Sequence, residues 1–223
     1  MLKIITISGL DGSGKSTQTE LLKNYLEAQK KRVFYFHAVE FSFGNKIANR
    51  FKIFYNTLLR PQISVIKEKS NTSAGWITVQ LRKIFLSIDL ARFKRLVKKL
   101  ENQGFDYILS DRYFYDSVVN IAYLVQQRHS CESKNLEKFS WIPHQVRNDN
   151  IVKSALAIYL QSDPEIIMQR ERIPDQGIEY LKKKKDLYDN FAREFNLTII
   201  NGNRNQEEIF DEIKNLVIKD KTY

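Results

Sequence analysis

The sequence predicts an α/β fold, a doubly wound and mostly parallel sheet of about five strands flanked by helices. Short apolar segments alternate along the chain with longer segments that have helical periodicity. The short segments are dense in apolar residues, as is typical of parallel strands that are covered on both faces. The chain has 223 residues, 43% of them hydrophobic, which is enough for one domain, residues 1–223, with a substantial core.

Five segments have the composition of buried strands: residues 2–8, 33–39, 105–110, 155–160 and 197–200. Helices are predicted around residues 21–26 and over residues 46–59, 76–100, 114–127, 164–170, 178–195 and 206–217. The longest of them carries one apolar stripe, which consists of Ile77, Leu81, Ile84, Phe85 and Ile88. Residues 129–150 lack periodicity, and we expect them to form a surface insertion.

The charge balance indicates an anionic partner. The chain has 36 Lys and Arg residues against 26 Asp and Glu residues, a formal net charge of +10. Nucleic acid, an acidic membrane surface and nucleotide phosphates all suit such a chain, so the charge alone does not choose among them. The single cysteine, Cys131, excludes an internal disulfide and agrees with a reducing compartment. Since no apolar run has the length of a membrane span, we expect a cytoplasmic protein.

The segment from Gly9 to Ser16 matches the phosphate-binding loop pattern G-x-x-x-x-G-K-S. It directly follows a predicted strand and directly precedes a predicted helix, which is the context that the pattern requires. Backbone N–H groups of such a loop and the amino end of the helix surround a polyphosphate. We expect Lys15 to reach the β- and γ-phosphates and the Ser16 hydroxyl to bind Mg²⁺. The predicted nucleotide-binding residues are Gly9, Asp11, Gly12, Ser13, Gly14, Lys15, Ser16 and Thr17.

A second candidate site element is the pair Asp111 and Arg112 at the end of the third predicted strand. Ligands of parallel sheets gather beyond the carboxyl ends of the strands, which predicts that Asp111 lies beside the phosphate loop and assists in metal binding. Arg112 suits a phosphate, because its guanidinium can make two parallel hydrogen bonds. The alternative is an ordinary ion pair at the end of a strand.

Two arginines that precede a helix-breaking sequence form the third candidate. Arg170 and Arg172 precede a Pro-Asp-Gln-Gly sequence, and residues 170–177 are predicted to be a short lid that brings positive charge onto the transferring phosphoryl group. The alternative is solvated charge at a helix end. The lysine run at 182–185 is predicted to be a solvated helix face.

Other classes of phosphate-loop protein fit less well. A GTPase carries an Asn-Lys-x-Asp string, and the aspartate is missing after Asn45 and Lys46. A nucleic-acid motor often ends a strand with two acids, whereas Asp111 is followed by Arg112. An arginine at this place makes sense if a second phosphorylated molecule binds there, which favours a small-molecule kinase over a hydrolase.

At this point the sequence resembles the thymidylate kinases, a family of P-loop nucleoside monophosphate kinases. The resemblance spans nearly the whole chain apart from residues 129–150. The matching segments are G-L-D-G-S-G-K-S-T-Q, D-R-Y with Ser117 after it, Y-L-Q-S-D-P-E, G-I-E-Y-L with Leu187 and Tyr188, and N-G-N-R-N. The resemblance implies the transfer of a phosphoryl group from ATP to dTMP with Mg²⁺, by a homodimer.

The same resemblance implies roles for individual residues. Asp11 matches a loop acid near the magnesium ion or the acceptor sugar, and Asp111 and Arg112 match the pair at the acceptor phosphate. Because this phosphate loop lacks the arginine of some members, the catalytic arginine is expected from the lid, at Arg170 or Arg172. The expected catalytic residues are thus Lys15, Asp111, Arg112, Arg170 and Arg172, with Ser16 and Asp111 at the metal.

The part of the sequence that would recognise the acceptor departs from the family pattern. The family's Arg-Glu-Pro passage is absent, and Arg92 is the nearest substitute for an arginine expected near Ile88. The expected acceptor-binding residues are Asp11, Phe43, Arg92, Arg112, Tyr113 and Ser117, although Phe43 and Tyr113 also suit the core. The predicted partner is therefore a small nucleotide, with no nucleic acid and no membrane. Two alternatives stay open: a deoxynucleoside kinase or other small-acceptor phosphotransferase, and a nucleic-acid-binding protein that binds ATP.

Overall fold

The computed structural model describes residues 2–37, 41, 76–128, 156–170 and 173–219. The predictions for residues 46–59 and 129–150, and for Phe43 and Arg172, lie outside these residues. The strands are β1 (Lys3–Gly9), β2 (Val33–His37), β3 (Tyr107–Asp111), β4 (Leu156–Gln161) and β5 (Thr198–Asn201). The helices are α1 (Lys15–Ala28), α2 (Trp76–Asn102), α3 (Phe114–Arg128), α4 (Pro164–Ile167), α5 (Ile178–Glu194) and α6 (Gln206–Lys219).

The five strands form one sheet in the order β2-β3-β1-β4-β5, and all neighbouring pairs are parallel. The predicted doubly wound parallel sheet is therefore confirmed. Helices α1 and α6 contact each other, while α3 contacts both α2 and α5. β2 and β3 lie on one side of β1 in the sheet, and β4 and β5 lie on the other side. The loop that follows β1 is therefore at the crevice where such folds bind ligands.

The alternation of side chains along β1 divides the core into two layers. Ile5 and Ile7 pack with Leu22 and Leu26 of α1, in a cluster that also includes residues of α6. Ile4 belongs to the other cluster, which joins α2, α3 and α5. Both layers are apolar because parallel strands are covered on both faces. Thr6 and Ser8 interrupt this pattern as buried polar residues, and Ser8 is close to the site described below.

Two details of the helices differ from the sequence prediction or extend it. Helix α4 ends at Ile167 rather than at residue 170, and residues 168–170 form turns. On α2, Leu81, Ile84 and Ile88 of the predicted stripe are exposed, with 44%, 54% and 36% of their surface accessible. Within the part of the chain that the structure describes, no helix has the length and apolarity needed to cross a bilayer.

Candidate active site

The phosphate loop connects the end of β1 to the start of α1. Gly14 is the N-cap of α1 with a φ of 95°, and Gly12 has a φ of 82°, a conformation that favours glycine at both positions. Because Gly14 has no side chain, it makes no capping hydrogen bond to the first N–H groups of α1. This arrangement leaves the positive end of the helix dipole directed to the crevice, where an anion would be stabilised.

Lys15 is the buried cation of this loop. Its side chain is almost completely buried, and its Nζ donates a hydrogen bond of 2.5 Å to the carbonyl oxygen of Leu10. Burial lowers the pKa of Lys15, although the carboxylates of Asp116 and Asp11 oppose that effect. The ammonium therefore lies inside the loop that a phosphate chain would enter, beside acidic groups that favour its charged form.

Asp111 ends β3, next to Ile7 of β1. Its Oδ2 accepts hydrogen bonds from the Ser16 hydroxyl at 2.5 Å and from the Tyr35 hydroxyl at 3.3 Å. Its Oδ1 is buried and has no hydrogen-bond partner among the residues that the structure describes. The structure therefore brings together the two residues that the sequence predicts at a metal.

Arg112 follows in a left-handed conformation, with a φ of 63°. A positive φ is rare for residues with a side chain and costs free energy, and such residues are concentrated at functional sites. Its Nη2 donates to Oδ1 of Asp11 in the phosphate loop at 2.5 Å. Burial alone would lower the pKa of Arg112, but the nearby carboxylates, led by Asp11, overcome this effect and raise it. The strained turn thus joins the end of β3 to the phosphate loop.

Asp116 is a buried carboxylate that the sequence prediction missed. Its Oδ2 accepts from the Ser8 hydroxyl at 2.7 Å and from the Tyr113 N–H at 2.9 Å. Its Oδ1 accepts from the Tyr188 hydroxyl at 2.7 Å, and burial strongly raises the pKa of this tyrosine, with Asp116 adding to the effect. Asp116 therefore connects β1, the turn after β3 and helix α5 under the site.

A small pocket opens beside these groups. It is lined by Gly9, Leu10, Asp11, Arg112, Asp116, Asn120, Tyr180, Lys184 and Tyr188. The pocket is thus shared by the phosphate loop, the Asp-Arg turn with α3, and α5. The expectation that the lysine run of α5 is a solvated face is wrong for Lys184, which is 4% exposed. The signal was present, since Leu181, Lys184 and Tyr188 follow helical spacing on one buried stripe.

Arg170 lies against the phosphate loop. Its guanidinium donates to the Gly12 carbonyl oxygen at 2.6 Å and to the Gly202 carbonyl oxygen at 2.9 Å. Burial lowers the pKa of Arg170. Pro174, from the other part of the predicted lid, also approaches Gly12. The predicted lid segment therefore packs on the loop through the residues on both sides of 171–172.

Four other predicted residues, Arg92, Tyr113, Ser117 and Thr17, do not line this pocket. The Arg92 guanidinium is on α2, where it donates to Asp89 and to the Phe41 carbonyl oxygen and stacks on the Phe41 ring, and it does not line the pocket. Tyr113 is fully buried against Phe93 and Phe114, so the structure places it in the core, the second of its two expected roles. Ser117 is half-buried on α3, and Thr17 is exposed on α1.

Comparison with known proteins identifies relatives along the full chain. No protein-family model matches it. A probable thymidylate kinase of Methanosphaera stadtmanae is 28% identical over 218 residues, which cover 96% of this chain and 97% of that protein. The thymidylate kinase of Thermosipho africanus is 27% identical over 222 residues, with 96% and 97% covered. That of Plasmodium falciparum is 26% identical over 226 residues, with 98% and 91% covered.

Along nearly its full length the chain is similar to thymidylate kinases. The crystal structure of the thymidylate kinase from Ehrlichia chaffeensis superimposes on it with a TM-score of 0.54. The two chains are 15% identical, and 97% of this chain and 98% of that chain are covered. At this identity the superposition shows a shared fold.

The similarity to thymidylate kinases implies a magnesium ion, and the residues present fit one. The Ser16 hydroxyl and the Asp111 carboxylate are hard oxygen donors, which Mg²⁺ prefers. Oδ1 of Asp111 is buried and has no hydrogen-bond partner among the described residues, so it has a free acceptor site. These two side chains are therefore the candidates to hold the ion, directly or through its waters.

Proposed function

We propose that the chain is an ATP-dependent thymidylate kinase, which transfers the terminal phosphoryl group of ATP to dTMP and yields dTDP and ADP. The observation that carries the proposal is the pocket in which the phosphate loop meets Arg112. A hydrolase needs only a water molecule beside its phosphate loop. This pocket is lined by the Arg112 guanidinium, which is hydrogen-bonded to Asp11 of the phosphate loop. Such a pocket suits a second phosphorylated molecule.

The donor half of the reaction is assigned to the phosphate loop. The N–H groups from Gly12 to Thr17 and the ammonium of Lys15 would bind the phosphates of ATP. Lys15 is held by a carbonyl oxygen of its own loop, so a phosphate oxygen would only have to replace that one acceptor. Magnesium, when bound by Ser16 and Asp111, neutralises charge on the ATP phosphates.

The acceptor half is assigned to Arg112 and Asp11. The Arg112 guanidinium would bind the dTMP phosphate and direct one of its oxygens to the phosphorus of the terminal group of ATP, with ADP as the leaving group. Asp11 orients Arg112 through their hydrogen bond. Arg170, which already contacts the Gly12 carbonyl oxygen, is the lid residue proposed to neutralise the transferring group, while a role for Arg172 remains a sequence prediction.

A coupled assay of ADP release tests this function. The assay compares dTMP, dUMP, thymidine and deoxycytidine at a fixed ATP concentration, and we expect dTMP to give the largest kcat/KM. Turnover of thymidine or deoxycytidine but not of dTMP would instead indicate a deoxynucleoside kinase. ATP consumption that no acceptor stimulates, together with salt-dependent DNA binding, would favour the nucleic-acid-binding alternative.

The Lys15→Met variant provides the matching residue test. It keeps the buried stem but removes the charge at the transferring phosphate, so we expect kcat to fall by roughly 100- to 1,000-fold. The control is Lys98→Met, which changes an exposed lysine of α2 and should leave kcat unchanged. Near-normal turnover by Lys15→Met would contradict the assignment of the phosphate loop as the donor site.

We also propose that the protein is a cytoplasmic homodimer. The support for a dimer is the exposed apolar row of Leu81, Ile84 and Ile88 on α2, since water-exposed apolar rows of this kind suit contact with a second chain. The support for the cytoplasm is the single cysteine and the class of substrate.

A further inference from the structure

Lys184 is a buried cation that the proposed mechanism does not yet use. It lies on the buried stripe of α5 and lines the same pocket as Arg112. Its Nζ donates to Oδ1 of Asn120, on the neighbouring helix α3. The rings of Tyr123, Tyr180 and Tyr188 lie 5.6 to 6.0 Å from the ammonium. The amino group is therefore held at a defined place by neutral groups.

The acids near Lys184 are occupied by other partners. Asp11 pairs with Arg112, and the two oxygens of Asp116 accept from Ser8, Tyr113 and Tyr188. Within the described residues, Lys184 has no carboxylate at ion-pair distance, and Asn120 is the one group that accepts a hydrogen bond from it. An ammonium has three N–H groups. Two of them are therefore available to a ligand that enters the pocket.

Stability alone does not explain a cation at this place. Burial of a charge without an ion partner is costly, and it lowers the pKa of Lys184 to about 8. A Leu or Met residue would complete the stripe of α5 at no such cost. Buried charges of this kind are concentrated at functional sites, where a ligand compensates the charge.

We infer that Lys184, oriented by Asn120, is an acceptor-binding residue that donates to an oxygen atom of the acceptor nucleotide in this pocket. The inference rests on the proposed function and adds a second cation to Arg112. The oxygen belongs to the phosphate or to the sugar of the nucleotide, and both offer acceptors of the same chemistry. A lysine here does not follow from the phosphate-loop or Asp-Arg motifs, because its placement depends on the packing of α5 against α3.

Calorimetric titration without ATP tests the inference. The ligands are dTMP and thymidine, and the proteins are the wild type, Lys184→Met and the control Lys183→Met, which changes the exposed neighbouring lysine. We expect Lys184→Met to bind dTMP roughly 10- to 100-fold more weakly, the effect of losing one charge-assisted hydrogen bond, and Lys183→Met to bind it as the wild type does. The KM for ATP should stay the same in both variants, which separates a binding role from a general loss of structure.

Thymidine identifies the oxygen. A loss of affinity for dTMP alone assigns the contact to the phosphate, and an equal loss for both ligands assigns it to the sugar. Lys184→Gln, which keeps a polar group beside Asn120, should show the same loss and serves as a second variant if Lys184→Met does not fold. Unchanged dTMP affinity in these variants, with dTMP turnover by the wild type intact, would overturn this inference alone. Absence of dTMP binding by the wild type would overturn the proposed function as well.

Discussion

Asp116 shows how a residue outside every motif organises the site. It accepts hydrogen bonds from three neutral donors, yet its charge also acts on the cations around it. It is the carboxylate that most favours the charged forms of both Lys15 and Lys184. A single buried anion therefore helps to keep two buried ammonium groups protonated, one in the proposed donor site and one in the proposed acceptor site.

The pH dependence of stability tests the burial of Lys184. The charged groups that act on it are Asp116, Asp11, Arg112 and Lys15. Its pKa is about 8 in the folded protein and about 10.5 when the side chain is solvated, so between these values the unfolded chain holds a proton that the folded chain has released. The contribution of Lys184 to the free energy of unfolding therefore rises with pH between these two values. Relative to Lys184→Met, the wild type should gain roughly 1–3 kcal/mol between pH 7.5 and 10.

Urea unfolding of the two proteins at a series of pH values measures this difference. The variant is the right reference because it lacks the titrating amine and retains the other groups of the pocket. If the unfolding free energies of the wild type and of Lys184→Met changed in parallel with pH, the Lys184 amine would be solvated rather than buried.

At the scale of the elements, the sequence predicts strands better than the faces of helices. All five strands were predicted within about two residues of their ends, because short, densely apolar segments have few other ways to be buried. The phosphate loop and the Asp111–Arg112 turn were predicted for a related reason: each is local and follows directly from the end of a strand. Asn120 and Lys184 could not be found in the same way, since each becomes a site residue only when α3 packs on α5.

Packing between elements also determines which substitutions the phosphate loop tolerates. A Cβ atom at Gly12 would lie 2.8 Å from Cγ2 of Ile167 on α4 and 3.4 Å from Cγ of Pro174 in the lid segment. Gly177 has a similar φ, 76° against 82°, but a Cβ there would meet nothing within 4 Å. The two glycines thus share a positive φ and differ in what a side chain would contact.

This contrast gives a prediction. Gly177→Ala should lower the free energy of unfolding by about 1–3 kcal/mol, the cost of holding a residue with a side chain at a φ of 76° and a ψ of 172°, a region that is essentially restricted to glycine. Gly12→Ala should cost more, because Ile167 and Pro174 must also move, and it should weaken ATP binding, whereas Gly177→Ala should not. Urea unfolding and titration with ATP measure both effects. Equal losses of stability would mean that the loop and the lid segment do not pack together as described.

At the scale of the whole molecule, the proposed active site joins parts that are distant in sequence. The pocket takes residues from the loop after β1, from the turn after β3 with α3, and from α5. Packing in one core cluster brings these parts together, so the site exists only in the folded chain. The net charge of +10 also has a role at this scale, because it attracts anionic nucleotides to the crevice without specifying them.

The proposed dimer is the last property of the whole molecule to test. Leu81, Ile84 and Ile88 are spaced by three and four residues, which places them on one side of α2. Ile84→Lys puts a charge into the middle of this row, and burying that charge between two chains would be costly. We therefore expect sedimentation equilibrium to give twice the chain mass for the wild type and a single-chain mass for Ile84→Lys at the same concentration. Ile218→Lys, at an isolated exposed isoleucine on α6, is the control and should remain a dimer. If the wild type had the mass of one chain, the proposed dimer through α2 would not form in solution.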